Sequence, residues 1–196
     1  AAVLSASKLF DENYQTGMEC NELCDLLRAC AAEANREVFQ MSEETGLPGS
    51  MGTTLVGIFM RRSHCCIVNV GDSRAYLMPA DGTIRQLTTD HTFVQHLYEQ
   101  GAITAEERKT HDRRNELTRA IGVQSHVLVD TGCIEMEDGD RVLLCSDGLY
   151  GMVSDERIAE IVNQTAPEDV PETCIREANE NGGRDNITLI LAVRDM

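Results

Sequence analysis

The stretch R-V-L-L-C-S-D-G-L-Y at residues 141–150 opens as a strand and stops on a charge. Residues 141–146 are apolar for the most part and short, the pattern of a buried strand. Asp147 follows in a Ser-Asp-Gly turn, where Gly148 permits close backbone approach and a positive φ. The same layout recurs twice. I-V-N-V-G-D-S-R-A-Y at 67–76 places Asp72 after an apolar run, and G-G-R-D-N-I-T-L-I-L-A-V at 182–193 places Asp185 just before one. Carboxylates on tight turns at strand ends are oxygen ligands for a hard divalent cation, so three converging turns supply most of a Mg²⁺ or Mn²⁺ site. Each also has an ordinary alternative. Asp147 can cap a short helix at 148–152, Asp185 can pair with Arg184, and Asp72 can form an Asx-turn or pair with Arg74.

Outward from these turns the chain divides by hydrophobic period. Residues 1–12 read as a helix with one apolar face. Residues 20–44 carry the longest helical pattern: Leu23, Leu26, Leu27, Cys30, Ala31, Ala34, Val38 and Met41 recur at three and four. Asn21 or Thr16 is the expected cap, and Gly46, Pro48 and Gly49 end the pattern. The period then changes to two. Residues 53–60 and 64–70 form one hairpin; residues 75–78 and 83–87 form another, turned at Ala80-Asp81-Gly82. Short helices are expected at 93–100 and after the capping box at Thr104. T-H-D-R-R-N-E-L-T-R-A-I-G-V-Q-S, residues 109–124, is polar and basic and reads as an exposed loop or flap. Strands at 127–136 and 141–146, helices at 154–163 and 167–181, and a last strand at 187–193, apolar enough to be buried on both sides, complete the chain. Adjacent hairpins with segregated helices predict an α+β layered sandwich of antiparallel sheets in a single domain, residues 1–196.

Composition narrows the partners. Asp and Glu number 33 against 17 Lys and Arg, a formal charge of −16. That excludes nucleic acid and anionic membrane as main partners and permits cations and basic peptide segments. No apolar run approaches the ~20 residues of a membrane helix. The start, A-A-V-L-S-A-S-K-L-F-D-E-N, has no secretory signal pattern. The eight cysteines include no C-x-x-C pair and no cluster with histidine at zinc spacing, so all are expected as reduced thiols in the cytoplasm. The sequons at Asn163 and Asn186 are then chance matches. No G-x-S-x-G, P-loop lysine or H-E-x-x-H is present. The histidines show no metal spacing and are mostly expected at the surface, with His111, beside the flap arginines, the one considered near a substrate.

Six blocks in order, M-G-T-T-L-V-G, V-N-V-G-D-S-R-A-Y-L, Q-L-T-T-D-H-T-F-V-Q, R-R-N-E-L-T-R-A-I-G, R-V-L-L-C-S-D-G-L and G-G-R-D-N-I-T-L-I, resemble the metal-dependent protein serine/threonine phosphatases of type 2C, the PPM family, in its bacterial form. The resemblance implies a four-layer α-β-β-α sandwich of two antiparallel sheets flanked by helices. It implies hydrolysis of phosphoserine and phosphothreonine by a metal-activated water in a binuclear Mn²⁺ or Mg²⁺ site, reversing Ser/Thr kinase signalling. Carried over, Asp147 and Asp185 resemble metal ligands of the catalytic pair and Asp72 a ligand of a third, weaker metal. Arg113, Arg114 and His111 fall in the substrate flap. Kinases and their substrates are the implied partners, with a monomeric enzyme.

Two departures accompany the resemblance. The family's phosphate-binding arginine and the bridging aspartate of its D-G-x-G-G motif have no counterpart in these residues, and the first strands are missing with them. Gly151 stands where several relatives have an aspartate. The chain therefore reads as an N-terminally incomplete phosphatase domain of weak or no activity. The alternative is a truncated pseudophosphatase acting as a regulatory or binding module.

Overall fold

The computed structural model describes residues 1–194. It resolves into two compact units, one of Ala1–Asp72 with Thr89–Ile134, the other of Ser73–Thr88 with the chain from Glu135 onward.

The first unit is organised by its longest helix. α1 (Ala2–Asn13) leads to α2 (Cys20–Glu44). Neither Asn21 nor Thr16 caps α2. Glu19 does, in a reciprocal box in which Glu22 accepts the Glu19 N–H at 2.8 Å. A carboxylate there also meets the positive end of the helix dipole. The sheet has the order β1-β2-β5, formed by β1 (Leu55–Arg61), β2 (His64–Val70) and β5 (Asp130–Glu135). β2 is central, which is why Cys65 through Val70 are all buried. On α2, Leu23, Leu27 and Ala31 pack with Cys66 and Val68, while Ala34 and Val38 pack with Val70 and Ile121. The predicted stripe fails at its end. Met41 is 42% exposed and Ser42 is fully buried. Ser42 Oγ donates to the Phe39 carbonyl and accepts from the Gly49 N–H, so it closes the turn that ends the helix.

α3 (Phe93–Glu99) and α4 (Ala105–Thr110) follow, the first capped by Thr92 and the second by the expected Thr104–Glu107 box. The basic segment after them is not exposed throughout. Residues 112–116 lie in solvent, but Ile121 and Gly122 are buried, and Ile121 exchanges two backbone bonds with Thr53. Gly122 has φ +85°, and a Cβ there would lie 2.2 Å from Val38 Cγ1. Asn35, buried on α2, accepts the Gly122 N–H and donates to the Gln124 carbonyl. One amide thus ties the loop's end to the core, a tether that hydrophobic periodicity does not reveal.

The second unit holds the antiparallel sheet β4-β3-β6-β7, from β3 (Arg74–Met78), β4 (Arg85–Gln86), β6 (Arg141–Cys145) and β7 (Leu189–Val193). α5 (Asp147–Tyr150), α6 (Asp155–Gln164) and α7 (Val170–Glu180), the last entered through a 3₁₀ turn at Pro167–Asp169, complete it. Leu143, Leu149, Ile158, Val162 and Cys174 form its core around Tyr76. The Tyr76 hydroxyl donates to Asp155 at 2.9 Å and accepts from Arg74 at 2.8 Å, so this buried phenol is fully satisfied. β7 corrects an expectation. Among the described residues it pairs only with β6 in this sheet, and Ile190 is 59% exposed while Leu189 and Leu191 face the core. An uninterrupted apolar run here serves a strand with one buried face. The two antiparallel sheets flanked by helices are the expected α+β class.

Candidate functional site

The register of β6 on β7 sets the geometry. Cys145 pairs with Leu189, so the chain leaving β6 runs beside the chain entering β7. Ser146 clamps them. Its N–H donates to the Thr188 carbonyl at 3.0 Å, its hydroxyl accepts from the Thr188 N–H at 3.1 Å, and the same hydroxyl donates to the Asn186 carbonyl at 3.2 Å. Asp147 and Asp185 sit on the two clamped turns. Gly148 makes the close approach possible: a Cβ there would fall 2.3 Å from the Asn186 oxygen. Its φ is not positive, so the requirement is for space and not for a left-handed backbone.

The electrostatics follow from this placement. Asp147 is partly buried, and burial raises its carboxyl pKa; the Asp185 carboxylate raises it further, against backbone N–H donors that lower it. Asp185 is exposed and accepts the Asn186 N–H at 2.7 Å. Among the described residues neither carboxylate forms an ion pair, and Arg184 does not neutralise Asp185. Asp147 does not act as the cap of α5; it is the helix's first residue, with Ser146 at the cap position. Two oxygen donors that repel one another, one of them desolvated and neither in an ion pair among the described residues, fit a hard divalent ion.

Asp72 belongs to the first unit, on a turn held by a histidine. Gly71 has φ +108°, and a Cβ there would collide with Thr54 Cγ2 at 2.4 Å. The Gly71 N–H donates to His91 Nδ1 at 3.1 Å, and the His91 N–H donates to the Gly71 carbonyl at 3.0 Å. His91 Nε2 faces Asp130 at 3.0 Å, and Asp130 in turn pairs with Arg119 at 2.7 Å. With Nδ1 accepting, the ring proton sits on Nε2 and points at Asp130. His91 departs from the expectation that the histidines lie mostly at the surface: it is 5% exposed. Its spacing to Gly71 is long in sequence, and no local pattern announces it.

Burial raises the Asp130 carboxyl, but the bonds and charges of His91 and Arg119 more than offset that, so it lies below the usual range. A carboxyl depressed in the folded state binds fewer protons than in the unfolded chain, whose reference value is 3.8. Its stabilising contribution is therefore present above that value and is lost as pH falls through the folded value. Melting temperature measured from neutral pH to about pH 3 is expected to fall less steeply on the acid side in Asp130→Asn than in the parent.

The flap residues are gathered in the first unit into a small local cluster. Arg113 forks onto Glu116 with two 2.6 Å bonds and lies 3.7 Å over the Phe93 ring. Its backbone N–H donates to His111 Nδ1 at 3.0 Å. Arg114 is exposed and, among the described residues, has no ion pair. Arg113 is thus committed to shaping the loop, and Arg114 presents the charge. Cysteine spacing was misleading as well, because Cys20, Cys66 and Cys133 meet in space.

A family model for protein phosphatase 2C matches residues 5–187. The serine/threonine phosphatase stp of Listeria monocytogenes is 39% identical over 180 residues, 91% of this chain and 71% of that protein. The chain belongs to the protein phosphatase 2C family. The crystal structure of the Mycobacterium tuberculosis serine/threonine phosphatase PstP/Ppp superposes on this phosphatase 2C chain with a TM-score of 0.88 at 33% identity, covering 100% of this chain and 82% of that one. A structure of the PstP catalytic domain in complex with two manganese ions gives 0.81 at 34% identity, covering 99% and 80%. Phosphatases of the 2C family use Mn²⁺ or Mg²⁺, the class of ion that the Asp147–Asp185 pair of this phosphatase 2C chain fits. No helix among its described residues is long and apolar enough to cross a membrane.

Proposed function

We propose that residues 1–196 are one phosphatase 2C catalytic domain that hydrolyses phosphoserine and phosphothreonine in proteins at a binuclear Mn²⁺ or Mg²⁺ centre. The observation that carries this is the clamped Asp147–Asp185 pair, in a chain whose relatives are named serine/threonine phosphatases. Such ions lower the pKa of bound water and neutralise the phosphate's charge. The chain's own residues supply the rest. Asp147 and Asp185 hold the catalytic metal, and Ser146 keeps their turns in register. Asp72, fixed through Gly71 by His91, holds an accessory ion. Arg114, exposed on the loop shaped by Arg113 and His111, meets the phosphoprotein. The substrates are products of Ser/Thr kinases, and the enzyme is a monomer of a reducing compartment such as the cytoplasm; its eight free cysteines support that setting.

Residues 1–196 contain no D-G-x-G-G segment, so we propose that they turn over slowly by themselves. A phosphothreonine peptide assayed with and without Mn²⁺ tests both parts. The expected result is slow release of phosphate that requires the metal and stops in Asp185→Asn. Rapid turnover by the parent would overturn the weak-activity reading. Turnover that ignores the metal and both aspartates would overturn the site. Metal binding with no turnover at all would identify the chain as a regulatory module instead.

A further inference from the structure

Three structural elements of the first unit bring thiols to one point. Cys20 is the first residue of α2, Cys66 is the third of β2, and Cys133 lies in β5. Their sulfurs all lie within 4.8 Å of one another, with Cys66 3.4 Å and Cys20 2.7 Å from Cys133. Cys24, one turn after Cys20 on the same face of α2, packs against the same cluster. From these positions we propose a thiolate site for a soft divalent cation, Zn²⁺ in the first instance, formed by Cys20, Cys66 and Cys133, with Cys24 completing the tetrahedron by side-chain rotation.

The geometry and the surroundings both suit that ion. Four Zn–S bonds of ~2.3 Å demand sulfur–sulfur edges of about 3.8 Å, within the envelope the three thiols occupy. Cys20 and Cys133, the closest two, are both partly exposed, so side-chain rotation can open that edge without moving the sheet. A disulfide would use two sulfurs and leave the third crowded beside them; three thiols converging from three elements, with Cys24 packed nearby, match a metal better than a pair. Each thiol must lose its proton to bind, and the start of α2 provides compensation, because helix N-termini favour thiolate charge. Burial nevertheless holds the Cys24 thiol above its ordinary value and the Cys133 thiol at about 11, so these protons leave only as the metal binds; Arg28 adds a positive charge near Cys24. Leu23, Leu27, Val68 and Phe59 line the cluster with apolar surface, which limits water at the sulfurs. The ligand chemistry separates this site from the carboxylate centre: thiolate selects soft ions, and Asp147 with Asp185 select hard ones. Its consequence is structural, a staple joining the start of α2 to β2 and β5.

Co²⁺ is the test probe, added to the reduced, metal-free full chain. One equivalent should develop thiolate-to-cobalt charge-transfer absorption with intense tetrahedral d–d bands, features that a carboxylate–water centre does not produce. Zn²⁺ should displace the colour and raise the melting temperature. The bands should survive Asp147→Asn with Asp185→Asn and weaken at least ~10-fold in apparent affinity in Cys20→Ser and in Cys133→Ser. Cys20 and Cys24 are half-buried on α2 and outside the sheet, so Cys20→Ser and Cys24→Ser carry the comparison even if Cys133→Ser folds poorly. Absence of thiolate bands in the reduced parent, or full retention in Cys20→Ser, would overturn the site. Formation of a Cys20–Cys133 disulfide with no metal uptake by the reduced chain would overturn it in favour of a redox pair.

Discussion

Asp147→Asn is expected to eliminate Mn²⁺ binding at the clamped turns while raising the melting temperature of the metal-free protein. The two effects have one cause. In the metal-free state a partly buried carboxylate is held beside Asp185, and its pKa is raised first by burial and then by that like charge. Raised means that the ionised form is penalised in the folded state, so at neutral pH the charge costs stability. An amide of the same shape removes the repulsion, and it can still accept the turn's N–H donors through its oxygen. A metal ion reverses the balance, because the charge that repels Asp185 is the charge that binds the cation. Any Mn²⁺-dependent phosphatase turnover should fall at least ~10²-fold in the variant, the scale of losing a principal electrostatic group. Thermal melts with and without Mn²⁺, alongside a phosphopeptide assay, check both. A variant that melts lower without metal, or that Mn²⁺ still stabilises fully, would show that Asp147 is not the ligand described.

Gly148→Ala tests the scaffold instead of the charge. The added methyl would lie 2.3 Å from the Asn186 carbonyl oxygen and 3.3 Å from Ile187 Cγ1. The first contact is with backbone, so no side-chain rotation relieves it. Either the Asp185–Asn186 turn moves away from Asp147 or α5 shifts, and in both cases Ser146 loses the geometry of its bonds to Asn186 and Thr188. Overpacking of this kind costs about 1–3 kcal/mol. Displacing a metal's supporting structure typically lowers affinity about 10–100-fold. The measurements are denaturant unfolding and Mn²⁺ titration of the folded variant. Both carboxylates remain in Gly148→Ala, so a loss of affinity there isolates the spacing of the turns. Unchanged affinity would show that the two aspartates do not need their close approach.

Much of this was legible along the chain. α2 announced itself through an apolar residue at every third or fourth position from Leu23 to Val38, and nearly all of those positions are buried. The hairpin of β1 and β2 was visible from its apolar runs, and the turn at Asp81-Gly82 from its composition; Asp81 accepts the Thr83 N–H there and Gly82 has φ +86°. Asp147 and Asp185 stood out because a charge bounded each apolar run, after the first and before the second. Periodicity failed where a polar residue did a structural task. Ser42 and Asn35 are buried because each closes a loop by hydrogen bonds, and hydropathy assigns both to the surface. Ile190 failed the other way, since an apolar side chain at a sheet edge can remain in solvent at modest cost.

The sequence by itself determined the class of fold, the order of the elements and the family, because those rest on local periods and on residue types at fixed offsets. Only the tertiary structure decided what lies across from what. The approach of Asp185 to Asp147 depends on the β6–β7 register, and the hold of His91 on Gly71 crosses twenty positions of chain. The meeting of Cys20, Cys66 and Cys133 spans more than a hundred. Contacts of that range are set by how helices and strands pack once formed, and the spacing of residues along the chain carries no record of them.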